Sequence, residues 1–274
     1  MVHSPPAVWR LLSASVRGAA HVRGGLPNQD AVRTAESIGI FGLAVSDGHG
    51  SAKCFRSHIG SQVAVDVAIA TLQDFAEASR GIKTEQIQDN AALLPGAILR
   101  RWRAAVSEHL AANPLEDAAA AVLDPYLIYG ATLVSALLTP GWLMCLQLGD
   151  GEILTVSRGG AVTQPIAADE SLIANETTSL CQPDAERSFR LHVVRLDDSP
   201  PALVLLATDG YPNSFETPAG FRQVASDLLG ILDQDGAESV AQALPGWLEE
   251  SSRLGSGDDV SVAILYLPPA KEAP

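Results

Sequence analysis

Cysteine, positive charge and long apolar runs are all scarce in this 274-residue chain. The three cysteines, Cys54, Cys145 and Cys181, are odd in number and far apart. They trace neither a disulfide framework nor a zinc pattern and are expected as reduced thiols. Lys plus Arg number 18 against 32 Asp plus Glu, a formal charge of −14. That shortage argues against a nucleic-acid surface, which needs clustered cations to displace counterions. It is compatible with a site that gathers carboxylates around metal ions, and equally with a soluble acidic surface. No apolar segment reaches the ~18–20 residues that span a bilayer. The opening "MVHSPPAVWRLLSAS" lacks a basic leader followed by a sustained apolar stretch. The chain is therefore expected in the cytoplasm, with neither a membrane nor a nucleic acid as partner. Internal repeats, linkers and composition breaks are also lacking, so residues 1–274 read as a single domain with frayed ends at 1–8 and 268–274.

What is present is a set of short apolar runs. Strands are expected at 11–16, 38–45, 131–138, 142–148, 152–157, 190–196, 202–207 and 260–266, with an early strand after Asp30. The turn "LLTPGWL" predicts a hairpin between 131–138 and 142–148, and "GDGE" extends it into 152–157 as a three-stranded meander. In 51–76, Phe55, Ile59, Val63, Val67 and Ala70 recur at helical spacing; Val63, Val65, Val67 and Ile69 also alternate, but the length favours a helix. Leu99, Trp102, Val106 and Leu110 mark a second helix in 96–111. Phe221, Val224, Leu228 and Ile231 mark a third, and 237–250 a fourth, disturbed by Pro245 and Gly246. Strands and helices do not alternate strictly, so the expected class is α+β: an antiparallel β-sandwich flanked by helices. The polar stretch 164–189 reads as a long surface excursion.

The apolar runs end in acid. "AVSDGHGS" breaks at Asp47, "MCLQLGDG" at Asp150 and "LLATDG" at Asp209, while "GDDVSVAIL" begins at Asp258 and Asp259 and "LPNQDAV" carries Asp30 before a strand. One Asp-Gly is ordinary turn chemistry. Five acidic clusters, each abutting a buried-looking strand beside a small or flexible neighbour, point to a shared location. Carboxylates gathered together repel and raise one another's pKa unless cations neutralise them. Mg²⁺ and Mn²⁺ take such oxygen ligands with several waters, and two of them suit phosphoryl chemistry.

In that order, "NQDAV", "VSDGHGS", "YGATLVSALL", "LQLGDGEI", "LLATDGYPNSF" and "GDDVSVAIL" resemble the metal-dependent serine/threonine protein phosphatases of the type 2C family, bacterial type, from about residue 10 to about 267. The resemblance implies a β-sandwich flanked by helix pairs, in α-β-β-α layers, with a two-metal centre at one edge. Carried over residue by residue, Asp47 bridges two Mn²⁺ or Mg²⁺ ions and the Gly48 carbonyl binds one of them. Asp209 and Asp258 complete the other shell. Asp30 meets the second ion partly through water, and Asp150 with Asp209 holds a weaker third ion. His49 stands where the family has a histidine proposed to protonate the leaving alcohol; a hydrogen-bonded turn residue is the plainer reading. The remaining histidines read as structural or surface residues.

Departures from the family pattern bear on the site. Gln29 stands where many members have Glu, and Asp259 where Asn is frequent. The phosphate-binding arginine has two candidates, Arg17 and Arg23. Residues 164–189 occupy the variable flap and lack the usual pattern there, which makes them candidates for setting substrate choice. The implied activity is hydrolysis of phosphoserine and phosphothreonine by a metal-activated water, without a phosphoenzyme. A phosphatase-fold binding or regulatory module and a small-phosphoester hydrolase are the alternatives. The implied partners are phosphorylated proteins and a serine/threonine kinase or its targets, the chain itself being a monomer.

Overall fold

The computed structural model describes residues 8–115, 124–167, 177–196 and 200–270. The chain runs β1 (Arg10–Val16), α1 (Ala19–Gly24), β2 (Ala31–Ser37), β3 (Ile40–Ser46), α2 (Ser57–Ala78), α3 (Thr84–Ala91) and α4 (Leu94–Ala112). It continues through β4 (Leu133–Leu138), β5 (Trp142–Leu148), β6 (Glu152–Val156), β7 (Val162–Thr163), α5 (Ala185–Ser188), β8 (Arg190–Arg195) and β9 (Leu203–Ala207). It ends with α6 (Pro218–Asp235), α7 (Ala237–Leu254) and β10 (Val260–Tyr266). The strands form two five-stranded sheets, ordered β1-β10-β9-β6-β7 and β2-β3-β4-β5-β8. Every pairing between them is antiparallel. The α+β sandwich with helices outside both sheets is the architecture expected from the sequence.

Strands β3, β4, β5, β9 and β10 are apolar and buried along their whole length, because each is covered on both faces. One face meets the opposite sheet through Leu43, Val45, Val134, Cys145, Leu206 and Leu265. The other meets helices: α6 and α7 cover the first sheet, and α2 and α4 cover the second, with Trp102 fully buried. Trp102 Nε1 also donates to the Gly60 carbonyl at 3.0 Å, so its one polar group is satisfied.

Several sequence expectations need correction. The run 152–157 does not extend the hairpin: β4 pairs with β5, but β6 pairs with β9 and belongs to the other sheet. The chain crosses between sheets at Gly149–Gly151, which a local turn signal cannot reveal. The strand expected from 38 starts at Ile40, because Ile38 and Gly39 form the exposed tip of the β2–β3 hairpin. The helix expected from 51 starts at Ser57, and its buried face is not the bulky stripe. Phe55 is 44% exposed and Ile59, Val63 and Val67 are only partly buried, whereas Gly60, Ser61, Ala64, Ala68 and Leu72 are buried. Small residues let the helix lie close: a Cβ on Gly60 would overlap the Tyr129 carbonyl. Helix α7 continues through Pro245, which sits on its exposed side while Val240, Leu244 and Leu248 face the core. Within 164–189, Ile166, Leu180 and Ala185 are buried, so the segment is anchored at both ends. Residues 168–176 of that expected flap, like 1–7 and 271–274 of the expected frayed ends, lie outside the described residues.

Candidate metal centre

Strand register gathers the acids. Ala31 pairs with Ser46, so Asp30 before β2 and Asp47 after β3 leave the sheet at one end. Val45 pairs with Val134 and Leu133 with Leu148, which brings the start of β4 and the end of β5, hence Asp150, to the same end. In the facing sheet Val262 pairs with Ala207, placing Asp258 before β10 next to Asp209 after β9. Glu152 also pairs with Ala207, so the cross-over carrying Asp150 leads directly to Asp209. Five strand ends from two sheets thus deliver Asp30, Asp47, Asp150, Asp209 and Asp258 to one edge of the sandwich.

Hydroxyls and backbone amides fix these loops. Thr208 Oγ1 donates to Asp30 Oδ2 at 2.6 Å. Thr132 holds the other side: its Oγ1 accepts from Asp47 N–H at 3.0 Å and its own N–H donates to the Asp47 carbonyl at 2.8 Å. Gly48 N–H donates to the Gln29 carbonyl at 3.1 Å, and Gly48 bridges to Ala131. A Cβ there would come within 2.6 Å of the Gln29 carbonyl and 2.7 Å of the Ser57 carbonyl, which explains the glycine after Asp47. Asn213 Nδ2 donates to Asp209 Oδ2 at 3.1 Å. His49 is half-buried and its N–H donates to the Gly130 carbonyl at 3.1 Å.

Burial and mutual repulsion act together on these carboxylates. Burial drives Asp30 well above the usual carboxylate range; the Thr208 hydrogen bond opposes this, and Asp259 and Asp209 reinforce it. Asp47 is raised likewise, by burial first and then by Asp30, Asp209, Asp258 and Asp150. Burial, then Asp150 and Asp258, push Asp209 up to about 7. Burial lowers the His49 pKa, and Asp150 pulls the other way. Paired divalent cations fit this site. Its donors are oxygens, its carboxylates are drawn together against mutual repulsion, and Gln29 Oε1 is buried beside Gly50 without a partner among the described residues.

All six sequence-derived ligands and His49 fall in this region. Arg17, between β1 and α1, and Arg23, in α1, are both exposed, and Arg17 Nη1 donates to the Leu26 carbonyl at 3.4 Å. The sequence offers Asp259 as an acid beside the site but gives no partner for it, and His21 reads there only as a structural or surface residue. Asp259 is 2% exposed and accepts hydrogen bonds from Gly18 N–H and Gln29 N–H, each at 2.6 Å. His21 Nδ1 lies 2.8 Å from the same carboxylate. The pair is separated by 238 positions, so spacing carries no signal of it.

The profile of the protein phosphatase 2C family matches residues 17–249. No curated sequence matches the chain. Among solved structures it is similar to PppA, described as a key regulatory component of T6SS in Pseudomonas aeruginosa, at 17% identity and a TM-score of 0.61, over 96% of this chain and 99% of that one. It is similar to the catalytic domain of the serine/threonine phosphatase PstP in complex with 2 manganese ions, at 20% identity and 0.59, over 95% and 99%. The serine/threonine phosphatase Stp1 from Staphylococcus aureus shows 16% identity and 0.61, over 97% and 98%. At these identities the likeness to the solved structures is one of fold.

Proposed function

Because the chain belongs to the protein phosphatase 2C family and is thereby a metal-dependent phosphoprotein phosphatase, we propose a role for each residue of its acidic edge. Asp30, Asp47, the Gly48 carbonyl, Asp209 and Asp258 hold the paired Mn²⁺ or Mg²⁺ ions, and Asp150 with Asp209 holds a third. His49 protonates the leaving serine or threonine oxygen. The observation that supports this most is the convergence of five carboxylates from both sheets on one edge, three of them with pKa values raised by burial and mutual repulsion. A scaffold without catalysis has no use for such a cluster, which disfavours the binding-module alternative.

When bound, the cations supply the charge that activates the attacking water and neutralises the phosphoryl oxygens. The chain's own residues do the rest. Thr132 and Thr208 hold Asp47 and Asp30 in place before any cation arrives, so little reorganisation is left for the reaction. His49, fixed through its backbone to Gly130, lies within electrostatic reach of Asp150. A cleft of about 290 Å³, lined by Asp150, Glu152, Gln164, Asn213, Phe221 and Arg222 among others, opens beside the cluster and suits the residues flanking a phosphoserine. The remaining substrate-level readings stand with this one: phosphorylated proteins with basic surroundings as substrates, a serine/threonine kinase or its targets as partners, a monomer, and one domain over 1–274 in the cytoplasm. No helix among the described residues is long and apolar enough to cross a membrane.

The test is a panel of phosphoserine and phosphothreonine peptides, nucleotides and phosphodiesters, assayed with Mn²⁺, with Mg²⁺ and in excess EDTA. The expected result is peptide hydrolysis that needs the metal and exceeds diester hydrolysis. Full turnover in EDTA, or preference for diesters, refutes the reading.

A further inference from the structure

Helices α6 and α7 pack on the first sheet, and a groove of about 470 Å³ runs between them on the side away from it. Its apolar walls include Val224 and Ile231 of α6, Leu244, Trp247 and Leu254 of α7, and Phe215 before α6. Trp247 is 37% and Leu254 68% exposed, so two large apolar side chains seven residues apart on one helix stripe face water. The charged groups of the lining are Asp227 and Glu250, with no lysine or arginine among them. Asp227 accepts from Gln223 Nε2 at 2.8 Å, and Arg253 Nη2 lies 3.6 Å from Glu250, so each carboxylate keeps room for further donors. Over α6 and α7 together, six carboxylates stand against two arginines and no lysine. Two glycines border the same groove. Gly230 follows Asp227 by three positions and Gly246 precedes Glu250 by four, the spacing of neighbours on a helix surface. A Cβ at either would meet nothing within 4 Å. Each glycine costs its helix ~1 kcal/mol against alanine, and packing inside the fold requires neither. Close approach by another chain accounts for both.

We propose that this groove docks a basic amphipathic helix of a partner protein, with the guest's apolar stripe on Ile231, Trp247 and Leu254 and its lysines or arginines against Asp227 and Glu250. The length fits. Leu244 to Leu254 spans ~15 Å at 1.5 Å per residue, room for nearly three turns of a guest whose anchors recur at i, i+3, i+4 and i+7. Charge decides between occupants. A second copy of this chain brings a formal charge of −14, and an anionic membrane is negative too, so the acids of the groove repel both. A cationic helix is instead steered to them. The exposed Trp247 supplies the kind of anchor on which interface energy concentrates. Phe215 lines both this groove and the cleft beside Asp150, so the docked helix reaches the loop that carries Asp209, whose carboxylate Asn213 Nδ2 holds. The groove itself contains none of the proposed metal ligands and needs no cation to bind its guest.

The experiment uses the full chain in EDTA and an amidated peptide of roughly 18 residues, with Leu at i, i+3, i+4 and i+7 and Lys elsewhere. The control is the same peptide with Glu in place of Lys. Amide exchange is expected to slow over 224–231 and 244–254 with the Lys peptide, and calorimetry to show affinity that falls as salt rises. Trp247→Ala, which removes the anchor, and Asp227→Lys, which reverses a groove charge, are each expected to weaken binding at least ~10-fold. Equal binding of the Glu peptide, protection spread over other acidic surfaces, or affinity unchanged in both variants overturns the proposal. So does a dimer in sedimentation, or binding to phosphatidylglycerol vesicles, that Trp247→Ala abolishes, since either names a different occupant. If Trp247→Ala fails to fold, the wild-type exchange map and Asp227→Lys decide.

Discussion

Replacing Asp209 with Asn removes one charge from a cluster that the metal-free protein holds together against repulsion. Asp209 sits at about 7 rather than the ordinary 3.8, raised by burial and then by Asp150 and Asp258. The sign follows from proton uptake. Between those two values the unfolded chain has lost this proton and the folded chain retains it, so stability falls as pH rises across the window. The cost is complete above pH ~7 and is relieved on acidification towards pH ~4. Fully expressed, a gap of that size corresponds to ~4 kcal/mol. Asp209 is partly open to water, and screening brings the figure to roughly 2 kcal/mol. Asp209→Asn in EDTA at pH 7.5 should therefore be more stable than the wild type by that amount, a rise in Tm of about 4 °C for a domain of this size. At pH 4.5 the difference should nearly vanish. Saturating Mn²⁺ should reverse the order, since the wild type then gains a counterion that the variant binds poorly. Urea unfolding at the two pH values, with and without Mn²⁺, measures all of this. An Asp209→Asn protein no more stable than wild type in EDTA at pH 7.5 would refute the account of repulsion at this edge.

Asp47→Asn keeps the shape of the residue at the centre of the cluster but removes its charge, and kcat on a phosphoserine peptide should fall at least ~10²-fold while the protein stays folded; near-normal rates with intact metal affinity would exclude a bridging role. His49→Ala should slow alkyl phosphates ~10²-fold and aryl phosphates only a few-fold, because an aryl oxygen leaves without a proton; equal losses return His49 to a turn residue. Asp150→Ala should leave two tight Mn²⁺ sites in calorimetry while lowering turnover and moving its metal dependence to higher concentration, whereas an ordinary turn residue would change stability alone. Gly60→Ala should destabilise the fold by ~3 kcal/mol in urea titrations, since its Cβ meets the Tyr129 carbonyl and neither backbone can yield cheaply.

The acidic edge was legible because each aspartate interrupts an apolar run, and the break in pattern is local. The sandwich was legible for the same reason: buried strands are short, apolar and closed by turn residues. Long-range placement was not. The turn at Asp150 reads as a hairpin in sequence, yet it passes the chain from β5 in one sheet to β6 in the other, a choice made by what β6 pairs with rather than by the turn. The face of α2 was misread because apolar residues at helical spacing were taken as the guide to burial, whereas close packing selects small ones: Gly60 lies against the Tyr129 carbonyl, and Ala64 and Ala68 are buried beside it. Pro245 reads as a helix breaker and is tolerated because its side of α7 is open to solvent. His21 was invisible as a site neighbour, since only the folded chain brings it to Asp259.

The acids of the centre are divided between the sheets: Asp30, Asp47 and Asp150 leave the sheet built on β3, while Asp209 and Asp258 leave the one built on β10. The two sheets otherwise meet through apolar side chains, whose attraction is non-directional. With the ligands proposed above, ions gripped from both sides would act as a rivet at one end of the sandwich. Loading them pins the relative slide of the two layers there and leaves the far end, at the Ile38–Gly39 tip, as free as before. Amide exchange should slow on metal addition along a gradient that starts at the acidic edge and fades towards that tip, so that occupancy of the centre is written into the mechanical state of the whole sandwich.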